Sequence, residues 1–542
     1  MTMRGAALLS IALVAAAPPP ARAQERFDLV ILGGRVIDGM GAPAFRADLG
    51  VRGGRIARIA REGLAAATAD RVLRAEGLIV APGFIDLHAH LEPLPQMPDA
   101  ESHVRQGVTT AMGNPDGGGA YPIGAYLERM DRAALGLNVG FFVGHNTVRR
   151  QVMGLEDREP TAGELDRMRE MVARGMGEGA FGLSTGLFYL PGFFAQLDEV
   201  VALARVAADS GGIYTSHLRY EGLGLLDGVG EAIEIGRQAR LPIVLTHHKA
   251  VGAQMWGASA RTLAMIDSAR AEGVDVMADQ YPYTATHTGL GVLIPPWARE
   301  GGDSAFARRV ADPAVRDSVK AGIVFNILND RGGGDLRRVQ FSRVSWQPEL
   351  EGRTLADWAA QRGLDPTPEN GAELVIEAEL KGSASAIYHV LDEQDVERIM
   401  RYLWTMHASD GRLSRPGQGH PHPRAYGTFP RVLGVYVREK GVLGLEDAVR
   451  KMTALPAWRV GLTDRGRVAE GLVADLTVFD PATVGDRATF TEPHQYPTGI
   501  HFVLVNGVVV VSDGQFTSAR PGKVLRRPPA RRTASEGAPP GR

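Results

Sequence analysis

The chain has 542 residues, of which 44% are hydrophobic and 23% charged, and its formal net charge is −2 at pH 7. This length accommodates one large domain and a smaller companion with a sizeable core. The near-neutral charge argues against nucleic-acid binding, which needs a concentrated basic surface. The chain has no cysteine, so it forms no disulfide, and any bound metal must be held by His, Asp or Glu.

The first 23 residues have the pattern of a secretory signal peptide. Arg4 precedes an apolar stretch over residues 6–17, and the small residues Ala21 and Ala23 mark a cleavage site before Gln24. The apolar stretch is shorter than the ~20 residues of a membrane span, so we expect no stable membrane anchor. This pattern predicts a secreted protein, with the bacterial periplasm as its destination.

Two groups of short segments near the chain ends predict a small β domain. Residues 24–82 alternate apolar and polar side chains in runs broken by glycine pairs, and the same pattern returns over residues 466–520. We predict that the two groups are the N-terminal and C-terminal parts of one β-sandwich, although the pattern alone does not establish that they pair. Residues 521–542 are rich in Arg, Pro, Ala and Gly, a composition that predicts a disordered tail.

Between these groups, residues 83–465 alternate short β-rich runs with amphipathic helical stretches. That rhythm is typical of βα units and a parallel sheet, so we predict an α/β protein with a (β/α)8, TIM-like barrel. Polar residues stand at the carboxyl ends of the candidate strands, where such barrels build their active sites. The rhythm is broken at about residues 290–375, which we interpret as an insertion that covers the mouth. The candidate strands are residues 107–113, 212–217, 242–247 and 274–279.

A histidine pair at the end of the first barrel strand is the strongest candidate for a metal site. Side chains on a strand alternate faces, so His88 and His90 are predicted to point the same way, and Asp86 to share their face. Two imidazoles with a neighbouring carboxylate are suited to hold a divalent ion. A solvent-exposed polar strand end is the alternative for this segment alone.

Three further residues extend the series. His217 and His247 each close an apolar strand, and Asp410 follows a late βα unit. One buried histidine at a strand end is common in proteins. Histidines at three separate strand ends favour a metal centre.

The order His-x-His, His, His, Asp resembles the amidohydrolase superfamily, whose members hold one or two divalent metals inside a (β/α)8 barrel. Longer motifs narrow the resemblance to the N-acyl-D-amino-acid deacylases, or D-aminoacylases, over nearly the whole mature chain. These motifs are Gly182-Leu-Ser-Thr-Gly-Leu, His247-His-Lys, Asp279-Gln-Tyr-Pro-Tyr, Ser409-Asp-Gly and His420-Pro-His-Pro-Arg-Ala-Tyr-Gly-Thr-Phe-Pro-Arg-Val-Leu-Gly.

The resemblance implies a metal-dependent amide hydrolase that removes the N-acyl group from N-acyl-D-amino acids. The expected cofactor is Zn²⁺, as one or two ions, and the reaction is attack of a metal-bound hydroxide with Asp410 as general base and acid. The expected partner is a small-molecule substrate with a free carboxylate. By resemblance, that carboxylate is bound by residues matching Lys249, Tyr281 and Arg424.

The chain departs from the family at two positions. D-aminoacylases carry a cysteine ligand after the second strand, where this chain has Gly113-Asn-Pro-Asp-Gly-Gly-Gly, and other superfamily members use a carboxylated lysine. Asp116 is the nearest candidate replacement, so His88 and His90 are predicted to hold the essential ion that the thiolate would otherwise help to bind. His287 stands where the family has a small hydroxyl residue, and it is a candidate for shaping the pocket or binding metal.

Two alternatives remain open at this stage. A dipeptidase or related amidase cleaving small peptides with a C-terminal D-residue would use the same metal residues, with an acidic residue for the free amine; Glu221 is a candidate for it. A catalytically inactive barrel that binds small ligands is the second alternative. Side-chain preference and oligomeric state do not follow from the sequence.

Overall fold

The computed structural model describes residues 25–65 and 69–527. The predicted signal peptide lies outside the described residues. The strands are β1 (Phe27–Val36), β2 (Phe45–Arg52), β3 (Arg55–Ala60), β4 (Ala69–Arg74), β5 (Ile79–Pro82), β6 (Phe84–Asp86), β7 (Ala89–His90), β8 (Val108–Gly113), β9 (Asn138–Phe141), β10 (Val143–Gly144), β11 (Gly182–Gly186), β12 (Ile213–His217), β13 (Ile243–Leu245), β14 (Val276–Gln280), β15 (Thr286–Gly289), β16 (Val339–Arg343), β17 (Ser385–Tyr388), β18 (Thr405–His407), β19 (Gly411–Arg412), β20 (Leu476–Phe479), β21 (Ile500–Val505), β22 (Val508–Ser512) and β23 (Gln515–Phe516).

The helices connect these strands, and the stretch Val432–Glu439 is a π-helix. The α-helices are α1 (Glu101–Val104), α2 (Ile123–Arg132), α3 (His145–Met153), α4 (Ala162–Gly177), α5 (Leu197–Asp209), α6 (Leu225–Ala239), α7 (Ser259–Ala271), α8 (Asp303–Ala311), α9 (Pro313–Asn329), α10 (Leu355–Gln361), α11 (Pro368–Leu380), α12 (Glu393–Arg401), α13 (Arg424–Arg431), α14 (Leu445–Met452) and α15 (Ala454–Arg459).

The two ends of the described chain meet in one mixed nine-stranded sheet. Its strands run in the order β23-β22-β21-β20-β5-β1-β2-β3, with β4 also paired to β1. The junction is the antiparallel pair β20 and β5, with Leu476 opposite Pro82. Valine, leucine and isoleucine side chains from both groups, among them Leu49, Val51, Val478 and Leu504, are buried in a shared core. The N-terminal and C-terminal segments thus form a single unit.

The central part of the chain contains parallel strands separated by helices. Strands β6, β8 and β9 form one parallel group, and β10, β11, β12, β13, β14 and β18 form a second. The strands β11, β12 and β14 are buried along their whole length, as expected when helices cover one face and packed side chains fill the other. Their carboxyl ends lie on one side, where His217 ends β12 and His247 follows β13.

Backbone hydrogen bonds connect the segment that follows β6, the first parallel strand, to the segment that follows β18, the last. Strand β7 pairs in parallel with β19, with Gly411 opposite Ala89. The backbone N–H of Asp410 donates to the carbonyl of His88 at 2.8 Å. These bonds bring the histidine pair and the aspartate together from opposite ends of the central region.

The insertion is longer than the predicted span of residues 290–375. It includes a three-stranded antiparallel sheet in the order β15-β17-β16, from Thr286 to Tyr388, together with α8 to α11. Its own core includes Phe341 and Trp358, whose rings lie 5.8 Å apart. The four-residue strands β15 and β17 carry a pattern too short to be recognised from sequence, so the predicted bounds were too narrow.

The described part of the predicted tail is ordered, which corrects the prediction for residues 521–527. The N–H of Leu525 donates to the carbonyl of Val139 at 2.7 Å, and the N–H of Arg527 donates to that of Gly179 at 3.0 Å. The composition of this segment resembles disorder, but its backbone pairs with the amino-terminal side of the parallel strands and Leu525 packs against their core. Residues 528–542 lie outside the described part.

Candidate metal centre and substrate cavity

A cavity of about 960 Å³ opens at the carboxyl ends of the parallel strands. The insertion strands β15 and β16 contribute to its wall. His88 does not line the cavity itself, but it contacts two residues that do, Asp116 and Asp410. The structure therefore brings the ten residues predicted from sequence to one place. The nine that line the cavity are His90, Asp116, His217, His247, Lys249, Tyr281, His287, Asp410 and Arg424.

One cluster consists of His88, His90, Asp116 and Asp410. Asp116 Oδ1 and Asp410 Oδ1 lie 3.4 and 3.5 Å from His88 Nε2. His90 Nε2 lies 3.1 Å from Asp410 Oδ1 and 3.6 Å from Asp116 Oδ2. Four ligand-type atoms thus face one another at the carboxyl end of the first parallel strand.

The donor set fits a divalent ion. Both ring nitrogens of His88 and the Oδ1 atom of Asp116 are buried, and within the described residues they have no hydrogen-bond partner. Such buried polar atoms are costly unless something else satisfies them. Tetrahedral zinc with ligand bonds of about 2.0–2.1 Å places its ligand atoms about 3.3 Å apart, which matches the 3.1–3.6 Å separations found here.

Asp116 lies between this cluster and a second one, formed by His217, Glu221 and His247. Its Oδ1 atom is 3.4 Å from His247 Nε2, the same distance as from His88 Nε2. A carboxylate in this position can bridge two ions or complete the shell of one. Asp116 thus contacts a histidine of each cluster, and its role as the replacement for the cysteine ligand stays a prediction.

Glu221 contacts both histidines of the second cluster and two basic side chains. It forms ion pairs with Lys249 and, at 2.8 Å, with Arg331, and it lies 3.2 Å from His247 Nδ1 and 3.7 Å from His217 Nε2. Lys249 Nζ also lies 2.6 Å from His247 Nδ1, a contact that requires the opposite tautomer. Donation from Nδ1 to Glu221 is the arrangement that leaves the Nε2 lone pair of His247 free for a metal.

The electrostatic environment keeps the carboxylates anionic. Burial opposes ionisation of Asp116, but the His88 and His247 imidazoles outweigh it and hold its pKa well below the usual range. Burial also opposes ionisation of Asp410, whose pKa is nevertheless lowered, mainly by the Arg424 guanidinium and His88. Burial lowers the pKa of His217 to about 4, so this imidazole is neutral at pH 7 and able to act as a ligand.

Three site residues adopt left-handed backbone conformations that cost energy for any residue with a Cβ. The φ angles are 53° at Asp116, 37° at His247 and 48° at Asp410. Local hydrogen bonds hold two of them: the N–H of His247 donates to Asp279 Oδ1 at 2.6 Å, and the N–H of Asp410 donates to the His88 carbonyl. The fold thus retains these strained conformations where ligand-type side chains must converge.

Asp86 does not share the metal-facing side with the two histidines, contrary to the alternation expected of one continuous strand. Strand β6 ends at Asp86 and β7 begins at Ala89, so the backbone turns between them. The Asp86 carboxylate instead accepts hydrogen bonds from the N–H and hydroxyl of Ser409. These hydrogen bonds fix the position of the loop that contains Ser409 and Asp410.

The residues predicted to bind a carboxylate lie beside Asp410. Arg424 Nη1 is 2.8 Å from Asp410 Oδ2, and the Arg424 guanidinium lies 4.6 Å above the ring of Tyr281, whose hydroxyl has no hydrogen-bond partner among the described residues. Lys249 is 5.7 Å from the same ring. A planar guanidinium and a free phenol are suited to a substrate carboxylate.

His287 lines the cavity but stands apart from both clusters. Its Nε2 atom lies 3.0 Å from Ser342 Oγ, and its carbonyl accepts a 3.4 Å hydrogen bond from Arg424. Burial lowers the pKa of His287 to about 3, so it is neutral. Of the two roles that the sequence left open, this placement favours shaping the pocket.

The sequence reasoning did not identify Arg331 or the aromatic pair Phe188 and Tyr189. The ring of Phe188 stacks on His217 at 5.3 Å, with Tyr189 edge-on at 4.7 Å, and Arg331 lies 4.3 Å above Phe188. Phe188 and Tyr189 follow the Gly182 motif, a signal that could have been used. Arg331 lies in the insertion, where no barrel periodicity marks it.

Comparisons with known proteins agree with this geometry. The model of an amidohydrolase family matches residues 71–312 and 395–511. The N-acyl-D-glutamate deacylase of Alcaligenes xylosoxydans xylosoxydans is 41% identical over 530 residues, 93% of this chain and 97% of that protein. The D-aminoacylase of the same organism is 38% identical, over 93% and 98% of the two chains.

Solved structures of deacylases also resemble this chain over most of its length. An N-acyl-D-glutamate deacylase from Bordetella bronchiseptica, crystallised with zinc and a phosphonate that mimics the tetrahedral intermediate, superposes with a TM-score of 0.80 at 39% identity, over 93% of this chain and all of that one. A D-aminoacylase studied for its binuclear metal centre superposes at 0.78, with 37% identity over 92% and 100% of the chains. The chain belongs to the amidohydrolase family, among the N-acyl-D-amino-acid deacylases.

Proposed function

We propose that the protein hydrolyses the amide bond of N-acyl-D-amino acids. The observation that carries this proposal is the contact between Asp410 and Arg424 at the metal cluster. One carboxylate oxygen of Asp410 faces the histidine pair and the other faces a buried guanidinium, at 3.1 and 2.8 Å. A proton carrier, metal ligands and a carboxylate-binding cation therefore meet at one point of the cavity.

His88, His90, Asp116 and His247 would hold a divalent ion beside Asp410, and that ion would supply the Lewis acidity that polarises an amide carbonyl and acidifies water. Asp410 is anionic and can accept the proton of the attacking water. The same carboxyl can return that proton to the leaving amine. Asp410 thus carries the proton through both halves of the reaction.

Arg424 and Tyr281 orient the substrate. The α-carboxylate lies one carbon from the scissile nitrogen, so a substrate whose amine faces Asp410 presents its carboxylate to the adjacent guanidinium. With amide and carboxylate both fixed, an L-substrate must exchange the positions of its side chain and α-hydrogen. The cavity wall therefore distinguishes the two enantiomers.

The dipeptidase alternative needs a free carboxylate for the substrate ammonium, and Glu221 does not provide one. Its two oxygens are already engaged by Lys249, Arg331 and His247. A substrate ammonium would have to displace a buried cation. This arrangement favours an uncharged acyl group over an aminoacyl group.

We infer that the two parallel groups are parts of one (β/α)8 barrel and that the nine-stranded sheet folds into a β-sandwich. The order β6-β8-β9, followed by β10-β11-β12-β13-β14-β18, supports eight consecutive barrel strands, because β9 and β10 are separated by Phe142 alone. The β7–β19 pair supports closure. The shared core of the two sheet halves supports the sandwich. Closure of the barrel predicts that backbone amides of β6 and β18 are protected from hydrogen exchange by bonds between these two strands.

We propose that the protein is exported to a periplasm and works without a membrane anchor. Arg4, the apolar residues 6–17 and the small residues before Gln24 support this. Within residues 25–65 and 69–527, no helix has the length and apolarity of a membrane span.

Export is tested by expressing the full chain in a Gram-negative bacterium and sequencing the N-terminus of the mature protein. We expect Gln24 at the N-terminus of protein recovered from the periplasmic fraction. Recovery of the uncleaved chain from the cytoplasm alone would contradict the proposal.

The proposed activity is tested with matched D and L N-acetyl amino acids and with dipeptides that end in a D-residue. Zinc-loaded protein should hydrolyse the N-acetyl-D compounds at least a hundredfold faster, in kcat/KM, than their enantiomers. Chelation should abolish turnover, and zinc should restore it. Preference for the dipeptides would favour the alternative function.

The proton-carrying role is tested by Asp410→Asn, which keeps the size of the side chain but removes its basicity. We expect kcat to fall by about 10²–10⁴-fold while zinc remains bound to the histidines. Asp486→Asn is the matched control, because it breaks an aspartate–arginine pair with Arg431 that lies outside the cavity. Near-normal kcat for Asp410→Asn would exclude Asp410 as the proton carrier.

A further inference from the structure

The loop that carries Asp116 has a strained backbone. It follows β8 and runs from Asn114 to Gly119. The φ angles are 58° at Asn114 and 53° at Asp116, in the left-handed region that is unfavourable for residues with a Cβ. Such conformations persist only where the surrounding structure fixes them. The contacts of this loop therefore decide where the Asp116 carboxylate lies.

The hydroxyl of Ser184, on β11, bridges the two sides of this strained turn. Ser184 is buried. Its Oγ accepts a hydrogen bond from the N–H of Gly117 at 3.2 Å and donates one to the carbonyl of Asn114 at 2.7 Å. The carbonyl of Val143, a second acceptor within reach, is farther away at 3.5 Å. One side chain thus satisfies a backbone group on each side of Asp116.

Gly186 lies on the same face of β11 as Ser184, because side chains two residues apart on a strand point the same way. A Cβ at Gly186 would lie 2.2 Å from the carbonyl oxygen of Asp116, which is too close for any side-chain carbon. The glycine therefore lets the loop approach the strand, and the serine holds it there. Neither residue lines the cavity, so both act on the site from outside it.

Helix α3 holds the other end of the loop. The N–H of Thr147 donates to the carbonyl of Gly117 at 3.0 Å, and its hydroxyl donates to the carbonyl of Gly119 at 3.1 Å. The side chain of Asn146 connects α3 to β11, since it accepts from the N–H of Gly186 at 3.2 Å and donates to its carbonyl at 2.9 Å. The loop, β11 and α3 thus form one hydrogen-bonded unit.

The position of this loop matters because the Asp116 carboxylate faces both clusters. Its Oδ1 atom lies 3.4 Å from His88 Nε2 and 3.4 Å from His247 Nε2. Metal–ligand distances vary by only about 0.2 Å in well-formed sites. A small displacement of the loop would therefore remove the carboxylate from an ion bound by these histidines.

We propose that Ser184 is the positioning residue for Asp116. Its hydroxyl holds the loop in the shape that places the carboxylate between the two clusters, and it thereby sets the affinity of the site for its metal. The inference rests on the metal-ligand role predicted for Asp116. It gives the motif over residues 182–187 a function that requires no contact with metal or substrate.

The experiment measures the zinc affinity of Ser184→Ala without substrate, by competition with a chromophoric chelator. The substitution leaves the N–H of Gly117 and the carbonyl of Asn114 without their partner, so we expect the zinc Kd to rise about tenfold or more. Thr477→Val is the matched control, because it removes a buried hydroxyl that donates to the carbonyl of Gly107, at the opposite end of β8 from Asp116. The control should bind zinc as the unaltered protein does.

A double-mutant cycle with Asp116→Ala separates positioning from a general effect on the fold. If Ser184 acts through the carboxylate, Ser184→Ala should weaken zinc binding in the unaltered protein and have no further effect in the Asp116→Ala background. An unchanged zinc Kd in Ser184→Ala, or an equal loss in both backgrounds, would overturn the proposal. So would a control variant that loses as much zinc affinity as Ser184→Ala.

Thr147→Val keeps the proposal testable should Ser184→Ala fail to fold, because it loosens the same loop from α3 without changing β11. We expect it to raise the zinc Kd only when Asp116 is present, and an unchanged Kd would contradict the proposal. Asp116→Ala with unaltered zinc affinity would also overturn it, and would leave the deacylase function standing. Failure to hydrolyse any N-acyl-D-amino acid would contradict the proposed function alone, since zinc binding is measured without substrate.

Discussion

The buried carboxylate of Asp86 joins the two chain segments on which the metal centre depends. It accepts hydrogen bonds from the N–H of His88 at 3.2 Å and from the N–H of Ser409 at 2.9 Å, and the Ser409 hydroxyl reaches its second oxygen. These residues are more than 300 positions apart in the chain, yet each precedes or carries a ligand-type side chain. Burial raises the pKa of Asp86 to about 6, so the hydrogen bonds sustain its charge at neutral pH. The distances between the histidine pair and Asp410 follow from this link.

A second constraint is the pairing of charges around the cavity. Glu221 forms ion pairs with both Lys249 and Arg331, while Asp410 pairs with Arg424. Burying charges is tolerable only when they are paired and hydrogen-bonded, so these pairs allow several cations to lie near a cationic metal. The same pairing limits what the site can bind. Among the described residues of the cavity wall, it leaves no unpaired carboxylate for a substrate amine.

Much of the centre was predictable because barrel strands present their polar residues at their carboxyl ends. His217 and His247 were identified by that position, and Arg424 by its long motif. Asp86 was placed on the wrong side because strand alternation was extended across a break that the sequence does not show. Arg331 could not be predicted, since the insertion has its own fold and no period that relates it to the barrel. The order of residues 521–527 was not predicted, because their Arg- and Pro-rich composition suggested disorder. Their backbone hydrogen bonds do not depend on that composition.

If Asp116 takes the place of the family's cysteine, as the sequence predicts, His88 and His90 have a central role in holding the metal. Asp116 lies 3.4 Å from His88 Nε2 and from His247 Nε2, but a carboxylate is a harder and less tightly held ligand than a thiolate for zinc. We therefore predict that the histidine pair is needed to retain the essential ion. The most direct test is the zinc content and turnover of the double variant His88→Ala/His90→Ala, with His501→Ala outside the cavity as control. We predict loss of at least one zinc per chain together with activity. A double variant that keeps its zinc and most of its turnover would contradict the account.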